Sequence, residues 1–358
     1  MKQARLYFGI SIFWLALSLL SDGLNTLVLP NLLLNEINPE RAASVLGLFT
    51  FFGLMAGVLV QPVAGALSDR VRFYWGRRGW IGLGLVFILL GLAALAWLPG
   101  SVGLFSGYFV VQIFASVAQA GQQGYIPDLV SHRRRGLASG LKGLMDIGGA
   151  MLGFIILGDL LGAGRSDAAL ALIAGFLVGA YLLAVVLVQE KPFAPAILPD
   201  SGPPPVRRFI LKSFRLDLAQ HRSFAWLVVA RFFFMLGTYA VGRFLLFFVA
   251  DRLALPADQA AETAGGLLAG LAFVTVAATP LAGWAADRWG RRPLMVVGAL
   301  LSAAGVLLFI PATSAGQILV FGGLMALGSA AFTSANWAAS ADLAPPNEAA
   351  RFMALANI

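Results

Sequence analysis

Residues Gly65–Arg78 read GALSDRVRFYWGRR, and residues Gly283–Arg292 read GWAADRWGRR. Both stretches begin with glycine, contain an Asp-Arg pair and end on Gly-Arg-Arg, and each follows an apolar run. A second echo comes later in each half, where P-D-L-V precedes Arg135 and A-D-L-A precedes Arg351. Two landmarks that recur in the same order indicate an internal duplication, so we predict two homologous halves.

The composition around these motifs is typical of a membrane protein. Of 358 residues, 59% are hydrophobic and 12% are charged, whereas soluble domains carry roughly 25% charged residues. Apolar runs of about 20 residues recur along the chain, and each is long enough to cross a hydrocarbon layer of about 30 Å as a helix. We therefore predict an all-α membrane protein with spans at about residues 6–30, 43–67, 79–99, 101–125, 136–160, 167–189, 223–250, 262–286, 293–312 and 316–340, and an eleventh that begins near Glu348.

The basic residues are distributed unevenly between the two sets of connections. Nineteen of the 25 lysines and arginines fall on the side of the N-terminus, whereas only Arg41, Arg165 and Arg252 fall on the other side. This bias predicts a cytoplasmic N-terminus in the cell membrane, inner or plasma. The first apolar run lacks a small-residue cleavage pattern, so we predict a retained span and not a signal peptide.

Several classes of function are disfavoured by the composition. The net charge of +8 resides in connections and not on one amphipathic face, which argues against a nucleic-acid partner. There are no cysteines, and the two histidines, His132 and His221, lie in polar connections, so we predict no cofactor and no metal site. Neither a phosphate-binding G-x-x-x-x-G-K-[ST] loop nor a nucleophile with a partnered histidine is present, so we predict no enzyme.

A polar, proline-rich stretch separates the two predicted halves. It runs from Glu190 to Arg222 and contains three consecutive prolines, Pro203, Pro204 and Pro205. Such a segment cannot build a core and is typical of a linker. We predict an N-terminal six-helix bundle at 1–189, a cytoplasmic linker at 190–222 and a C-terminal bundle at 223–358.

The G-x-x-x-D-R…G-R-R motif between spans two and three, repeated between spans eight and nine, resembles the loop motif of the major facilitator superfamily. The longer first copy, S-D-R-x5-G-R-R, together with Y-I-P-D-L after span four, is similar to the sugar:cation symporter branch, the glycoside-pentoside-hexuronide and sucrose carriers. The resemblance covers the whole chain and implies two pseudo-symmetric six-helix bundles in a monomer. Members have twelve spans, whereas this chain stops at Ile358, so we expect the second bundle to be incomplete.

The repeated motif supplies the candidate gate residues. A small residue such as Gly65 or Gly283 would let neighbouring helices approach closely, while Asp69 or Asp287 would meet helix N-termini or arginines. The resemblance implies that this cluster latches the cytoplasmic gate; the alternative is that the arginines only fix topology. The candidate gate residues are Gly65, Asp69, Arg70, Gly76, Arg77, Arg78, Gly283, Asp287, Arg288, Gly290, Arg291 and Arg292.

Ionisable residues inside spans are the candidates for ion coupling, because each costs roughly 2.5 to 3.5 kcal/mol at the bilayer centre. They are Asp22 in span one, Lys142 and Asp146 in span five, and Arg231 and Arg243 in span seven. Lys142 and Asp146 are spaced i, i+4 and share a helix face. Either they form a structural ion pair, or Asp146 or Asp22 binds a proton or monovalent cation with Lys142 or Arg243 as counter-charge.

Polar residues in span four form the candidate solute site. Gln112, Ser116, Gln119 and Gln123 lie on one helical stripe, where amides and hydroxyls would bind a polyhydroxylated solute. Hydrogen bonding between helices is the alternative use of this stripe. Further candidates are Asn25, Tyr239, Asn336 and Trp337. The glycine pairs Gly53 with Gly57, Gly149 with Gly153, and Gly266 with Gly270 are predicted to be packing notches.

Three functions remain open on these residues. The first is a secondary active transporter that moves a small polar solute, a sugar, by alternating access coupled to a proton or cation. The second is a proton-coupled exporter of amphipathic compounds, which an aromatic cavity without the glutamine stripe would favour. The third is a non-transporting membrane receptor, which would not need a duplicated gate motif.

Overall fold

The computed structural model describes residues 2–37, 39–98, 100–130, 135–190 and 222–343. Within these ranges the chain consists of helices and contains no strand, so the predicted all-α architecture is confirmed. Some predicted features lie outside the described residues: His132, His221, Arg351, the beginning of an eleventh span near Glu348, and the linker 190–222 apart from Glu190 and Arg222.

The described ranges contain eleven α-helices and one π-helical segment. In chain order they are α1 (Lys2–Ser18), a π-helical segment (Leu19–Val28), α2 (Leu29–Glu36), α3 (Pro39–Trp97), α4 (Gly100–Gln123), α5 (Tyr125–Leu129), α6 (Arg135–Gly162), α7 (Ser166–Leu187), α8 (Arg222–Arg252), α9 (Ala257–Trp289), α10 (Arg291–Leu307) and α11 (Ala315–Leu343).

Nine segments of the described chain are long and apolar enough to cross a membrane. They include the continuous stretch Arg5–Glu36, formed by α1, the π-helical segment and α2, which extends beyond the predicted first span at 6–30. The predicted span at 293–312 corresponds to α10, which has 17 residues. Seventeen residues lie at the lower end of the usual length of a membrane helix, so a helix of membrane length lies at each of the ten predicted spans.

The first membrane helix changes its winding at Leu19–Val28. This segment is π-helical, and its successor Leu29 donates its backbone N–H to Leu24 O, five residues earlier. Eight of its ten residues are buried, including Asn25 and Thr26. Short π-helical turns recur at functional sites of proteins, and this one carries two residues that the sequence analysis selected, Asp22 and Asn25.

Two glycines of the repeated motif reverse the chain. Gly76 interrupts α3 with φ +63° and ψ −179°, and Gly290 separates α9 from α10 with φ +92° and ψ +151°. Residues with a Cβ rarely adopt this region of backbone conformation. The glycine of Gly-Arg-Arg is therefore required by the turn that connects two successive membrane helices in each half.

Spans three and four of the first half pack through small residues, and the second half repeats the contact. A Cβ added at Gly84 on α3 would lie 2.9 Å from Phe114 O and from Ala118 N on α4. At Gly298 on α10 the nearest atoms would be Gly328 O and Phe332 N on α11, both at 2.7 Å. A single constant offset in residue number relates three equivalent pairs: Gly84 and Gly298, Phe114 and Gly328, Ala118 and Phe332. The predicted duplication is thus present in helix packing.

The glycine pairs that the sequence analysis selected behave differently from one another. On α6, a Cβ at Gly149 would collide with the Leu15 carbonyl, and one at Gly153 would lie 3.4 Å from Leu19 O, so these two are packing notches. At Gly270 a Cβ would lie 2.8 Å from Leu319 Cδ1. At Gly266 it would meet no described atom within 4 Å, so the notch predicted there is wrong.

The chain divides into two compact units. Unit 1 comprises residues 1–206 with 257–262, and unit 2 comprises residues 207–256 with 263–358. In unit 1 the first membrane helix packs against α6 and α7, and α3 packs against α4. In unit 2 the closest packing joins α10 to α11.

Candidate functional site

Arg77, the first residue after the glycine turn of α3, is the centre of a buried polar cluster in unit 1. Only 6% of Arg77 is exposed. Its Nε and Nη2 both lie 3.0 Å from Asp128 Oδ2 on α5, and its Nη1 donates to Ser68 Oγ at 2.8 Å. We call six residues the Arg77 cluster: Ser68, Arg77, Arg78, Tyr125, Asp128 and Glu190.

Glu190, which follows α7, binds the same turn through its carboxylate. Oε2 accepts the backbone N–H of Arg77 at 3.2 Å, and Oε1 accepts that of Arg78 at 2.9 Å. Oε1 also lies 3.6 Å from the Nε of Arg78. The first N–H groups of a helix have no partner within the helix, and a carboxylate there is favoured by the helix dipole. Glu190 therefore caps the second arm of α3 from a distant part of the chain.

Tyr125 completes this cap from α5, beyond the end of the fourth membrane helix. Its hydroxyl donates to Glu190 Oε1 at 2.7 Å. Burial, followed by the negative charge of Glu190, raises the pKa of Tyr125 above its ordinary range. The phenol thus remains protonated at neutral pH and remains a donor. Arg78 adds a bond to Val188 O, and Tyr181 donates to Arg78 O at 3.2 Å.

Unit 2 repeats the central ion pair of the cluster. Arg291, the first residue after Gly290, pairs with Asp342 near the end of α11 and donates to Ala338 O at 2.6 Å. The same offset in residue number relates Arg291 to Arg77 and Asp342 to Asp128. The second pair is far more accessible, with side chains 30% and 59% exposed, compared with 7% and 14% in the first. The aspartates of the repeated P-D-L-V and A-D-L-A sequences, Asp128 and Asp342, are therefore the ion-pair partners of the motif arginines.

Other motif residues differ from the predictions. A Cβ at Gly65 or at Gly283 would meet no described atom within 4 Å, so the close helix approach predicted there is not found. Asp287 is exposed and has no hydrogen bond or ion pair among the described residues. Arg288 lies over the ring of Trp284, 5.4 Å from its centroid. The side chains of Asp69 and Arg70 lie outside what the structure describes, and Arg292 is exposed.

A hydrogen-bonded network inside unit 1 joins the π-helical segment to α4. Asn25 Oδ1 accepts from Tyr108 Oη at 2.7 Å and from Gln112 Nε2 at 2.9 Å. Gln112 Nε2 also lies 2.6 Å from Tyr108 Oη, and Asn25 Nδ2 donates to Ser21 O at 2.5 Å. Tyr108 is fully buried and Asn25 is 3% exposed. Two of the predicted solute residues, Asn25 and Gln112, are thus brought together by the fold.

The remaining members of the span-four stripe have separate partners. Gln119 Oε1 accepts from Gln61 Nε2 of α3 at 3.1 Å, whereas Ser116 donates to Gln112 O of its own helix. Gln123 is exposed at the end of α4. Gln122, one residue off the stripe, is buried and donates to Ile10 O at 2.6 Å. In this conformation the stripe connects helices, which was the alternative interpretation.

The charged residues of spans one and five also lie close together in unit 1. Lys142 Nζ is 3.3 Å from Asp146 Oδ2 and 3.8 Å from the ring centroid of Trp14. Ser18 donates to Asp22 Oδ2 at 3.0 Å. No group of three or more metal-binding side chains occurs in the part of the chain that the structure describes. The ion pair of span five therefore contacts an aromatic ring of span one, the span that also carries Asp22.

In unit 2 the span-seven arginine Arg231 contacts two candidates on α11. Its Nη1 donates to Asn336 Oδ1 at 3.0 Å, and its guanidinium carbon lies 4.9 Å from the centroid of Trp337. Asn336 is fully buried. Arg243 is half-buried, and Tyr239 is exposed on α8. Arg231, Asn336 and Trp337 thus form one group.

Sequence reasoning missed several residues of these groups. Gln61, Tyr108 and Glu190 were not selected, although each bonds to a residue that was. Asp128 carried a usable signal, because its sequence context recurs at Asp342. Tyr108 falls four residues before Gln112, at helical spacing, and that spacing could have placed it on the stripe.

The chain resembles known membrane proteins over most of its length. Residues 40–349 match the family described as MFS/sugar transport protein. The fosmidomycin resistance protein of Escherichia coli (strain K12) is 25% identical over 333 residues, which cover 87% of this chain and 73% of that protein. The alpha-ketoglutarate permease of the same organism is 24% identical over 263 residues, which cover 69% of this chain and 58% of that protein.

Solved structures share the fold at low sequence identity. A nucleoside transporter superimposes with a TM-score of 0.72 at 14% identity, covering 98% of this chain and 87% of its own. A D-xylose-proton symporter gives a TM-score of 0.66 at 18% identity, covering 99% of this chain and 85% of its own. At such identities the likeness establishes the fold alone.

Proposed function

Because the chain belongs to the MFS/sugar transport protein family, we propose that this secondary transporter carries a sugar or a similar small polar solute by alternating access. The protein is an integral membrane transporter and not an enzyme. We assign the coupling ion as a proton or a monovalent cation. We place the N-terminus in the cytoplasm and the protein in the cell membrane, on the distribution of lysines and arginines.

The observation that carries the proposal is the polar network on α4 of unit 1. Polar groups inside a membrane protein are costly unless they are bonded. Here Asn25, Tyr108 and Gln112 bond one another, and Gln119 accepts from Gln61 but donates to no described residue. Amides and a phenol can exchange such bonds for those of sugar hydroxyls at little net cost, because both partners donate and accept.

Coupling is assigned to the charged group on the first and fifth spans. Carboxylates in a medium of low dielectric constant favour the uptake of a positive charge. Lys142 supplies one positive charge to Asp146 at 3.3 Å, and Asp22 is held by Ser18 at 3.0 Å. A proton or cation that binds here would lower the repulsion between Asp22 and Asp146. The name of the D-xylose-proton symporter supports a proton as the first ion to test.

The Arg77 cluster is assigned a gating role. It ties the turn of α3 to α5 and to the residue after α7 through Asp128 and Glu190. Such an ion-paired cluster holds the ends of several helices together, and solvent can compete for its bonds when they separate. The repetition at Arg291 and Asp342 supports the same role in unit 2.

The proposal is tested by gradient-driven uptake into proteoliposomes. Labelled monosaccharides and disaccharides are offered with an imposed pH gradient, with an inward sodium gradient, and with no gradient. For one coupled proton, a pH difference of one unit drives accumulation of about tenfold. We expect Asp146→Asn and Asp22→Asn to abolish this accumulation while exchange of labelled for unlabelled sugar continues, since binding does not require net proton movement.

Asp159→Asn is the matched control, because Asp159 lies on the same helix as Asp146 and is exposed. Its uptake should equal that of the unmodified protein. Sugar movement that ignores every gradient would refute ion coupling, and the absence of any sugar movement would refute the sugar proposal.

A second candidate is proton-coupled export of an amphipathic compound. One relative is named for resistance to fosmidomycin, and this observation favours the candidate. Export predicts that everted vesicles accumulate the compound on acidification of their interior, whereas symport predicts that they lose sugar. The buried amide network around Asn25 favours the sugar proposal.

A further inference from the structure

Arg231 carries a positive charge well inside a membrane helix. It lies nine residues after Arg222, the first residue of the 31-residue helix α8. At 1.5 Å per residue this is roughly 13 Å from the helix start, within a segment longer than the hydrocarbon layer. Such a charge is costly to insert and is usually balanced by a partner. A negatively charged partner for Arg231 is therefore expected nearby.

No carboxylate of the described part of unit 2 balances Arg231. The described acidic residues of unit 2 lie near helix ends: Asp251 in the last turn of α8, Asp287 in that of α9 and Asp342 in that of α11. Asp342 is already paired with Arg291. No ion pair to Arg231 occurs within the described ranges; its contacts there are Asn336 Oδ1 and the ring of Trp337.

The two contacts orient the guanidinium without neutralising it. The guanidinium carbon lies 4.9 Å from the centroid of the Trp337 ring, within the range of a cation–π contact. It has five N–H donors, and Asn336 accepts one of them. Because arginine only donates, the oxygen of Asn336 must face it, which leaves Asn336 Nδ2 buried and without an acceptor among the described residues. The group therefore offers donors and positive charge but no negative charge.

From this arrangement we infer that Arg231, in cation–π contact with Trp337 and bonded to Asn336, binds the carboxylate or another oxyanion of the transported solute. A planar guanidinium edge matches a carboxylate with two parallel hydrogen bonds, which are charge-assisted and strong. The inference rests on the proposed function, since it assumes a transported polar solute, and it narrows that solute to one with an acidic group. A lipid phosphate has the same oxyanion chemistry, so the test separates the two sources.

Binding is measured on the full chain in neutral detergent, without any ion gradient. Thermal unfolding is followed with acetate, gluconate, succinate and inorganic phosphate, each compared with chloride at equal ionic strength. Sorbitol, the neutral counterpart of gluconate, is the control ligand. We expect at least one oxyanion, and not sorbitol, to raise the midpoint. Arg231→Gln should weaken the apparent affinity at least about tenfold, whereas Arg231→Lys should retain part of it.

Arg222→Gln is the matched control, because Arg222 lies on the same helix and is exposed. It should bind oxyanions as the unmodified protein does. If Arg231→Gln does not fold, Trp337→Leu provides the second variant, with a smaller expected loss of affinity. The inference is overturned if no oxyanion stabilises the protein more than chloride, or if the stabilisation persists in Arg231→Gln.

A lipid phosphate bound at Arg231 would give a different result from a soluble oxyanion. If phosphatidylglycerol stabilises the unmodified protein but not Arg231→Gln, while the soluble oxyanions have no effect, the site belongs to lipid and the solute assignment is overturned. Gradient-driven uptake of neutral sugars that is unaffected by Arg231→Gln would leave the proposed function intact while refuting this inference. Oxyanion binding that is lost in Arg231→Gln, without gradient-driven uptake of any sugar, would support this inference while refuting the proposed function.

Discussion

Asn25 illustrates how one side chain can determine the chemistry of a membrane helix. Its Oδ1 accepts from Tyr108 and Gln112, and its Nδ2 donates to Ser21 O within the π-helical segment. The amide orientation is therefore set by its neighbours, since the oxygen must face the two donors. A solute hydroxyl that replaced Gln112 would find the acceptor already oriented, and less conformational entropy would be lost on binding.

Replacement of Asn25 by alanine is expected to weaken solute binding. Asn25→Ala removes the acceptor that a solute hydroxyl would use in place of Gln112, a hydrogen bond worth about 1 kcal/mol, so we expect the KM for the transported sugar to rise about fivefold. Gln123→Ala, on the exposed end of α4, is the control and should leave KM unchanged. Uptake kinetics in proteoliposomes provide the measurement. A lower melting temperature with an unchanged KM would instead assign Asn25 a purely structural role.

The candidate site was only partly predictable from single residues. Asp22, Lys142, Asp146 and Arg231 could be selected because a charge inside an apolar run is rare and costly. Glu190 could not, because it stands in a polar stretch where a carboxylate is ordinary. Its role depends on a contact with Arg77, which is far away along the chain. A partner that lies far away along the chain produces no periodic pattern in the sequence, so it cannot be predicted from residue spacing.

At the scale of elements, the Gly-Arg-Arg motif encodes a helix turn. Gly76 and Gly290 adopt positive φ, and the following arginine begins the next helix in each half. Close packing is predicted at the first glycine of the motif, because helix contacts in membranes favour small residues. In the structure it is the last glycine of the motif that must be glycine, because the turn there needs a positive φ. The repeated sequence alone cannot show which of its two glycines has this role.

Alanine at the turn glycines is expected to destabilise the protein. Gly76→Ala and Gly290→Ala place a Cβ in a backbone region that costs of order 1–3 kcal/mol. At Gly76 the added atom would also collide with the Glu190 carboxylate. Gly65→Ala and Gly283→Ala are controls from the same motif, because open space surrounds both positions among the described residues. Thermal unfolding in detergent should show lower midpoints for the first two variants only; equal midpoints for all four would contradict the turn requirement.

At the scale of the whole molecule, helix packing, turns and ion pairs all repeat between the two halves with one offset in residue number. The same offset in residue number relates Gly84 to Gly298, Gly76 to Gly290, and Asp128 to Asp342. The repeated motif and the hydrophobic runs were enough to predict the helical fold and the internal repeat. They could not predict how deeply each copy is buried, because burial depends on side chains from neighbouring helices.

The two copies of the ion pair should therefore contribute different amounts to the free energy of unfolding. Removal of one partner from a buried pair costs about 3–5 kcal/mol, whereas an exposed pair contributes about 0–1 kcal/mol. We expect Asp128→Ala to reduce the free energy of unfolding by the larger amount and Asp342→Ala by the smaller. Denaturant titration of both variants measures the difference. If the two losses are equal, burial does not set the strength of these pairs.

Dissolved salt screens the attraction between exposed charges, whereas it weakens the attraction between buried charges much less. The Debye length shortens from about 10 Å at 0.1 M to about 3 Å at 1 M salt. Concentrated salt should accordingly loosen the contact between Arg291 and Asp342 while the buried contact between Arg77 and Asp128 persists. A molecule built from two copies of one sequence pattern would thus lose its symmetry under salt stress, and the carboxyl-terminal half would relax first.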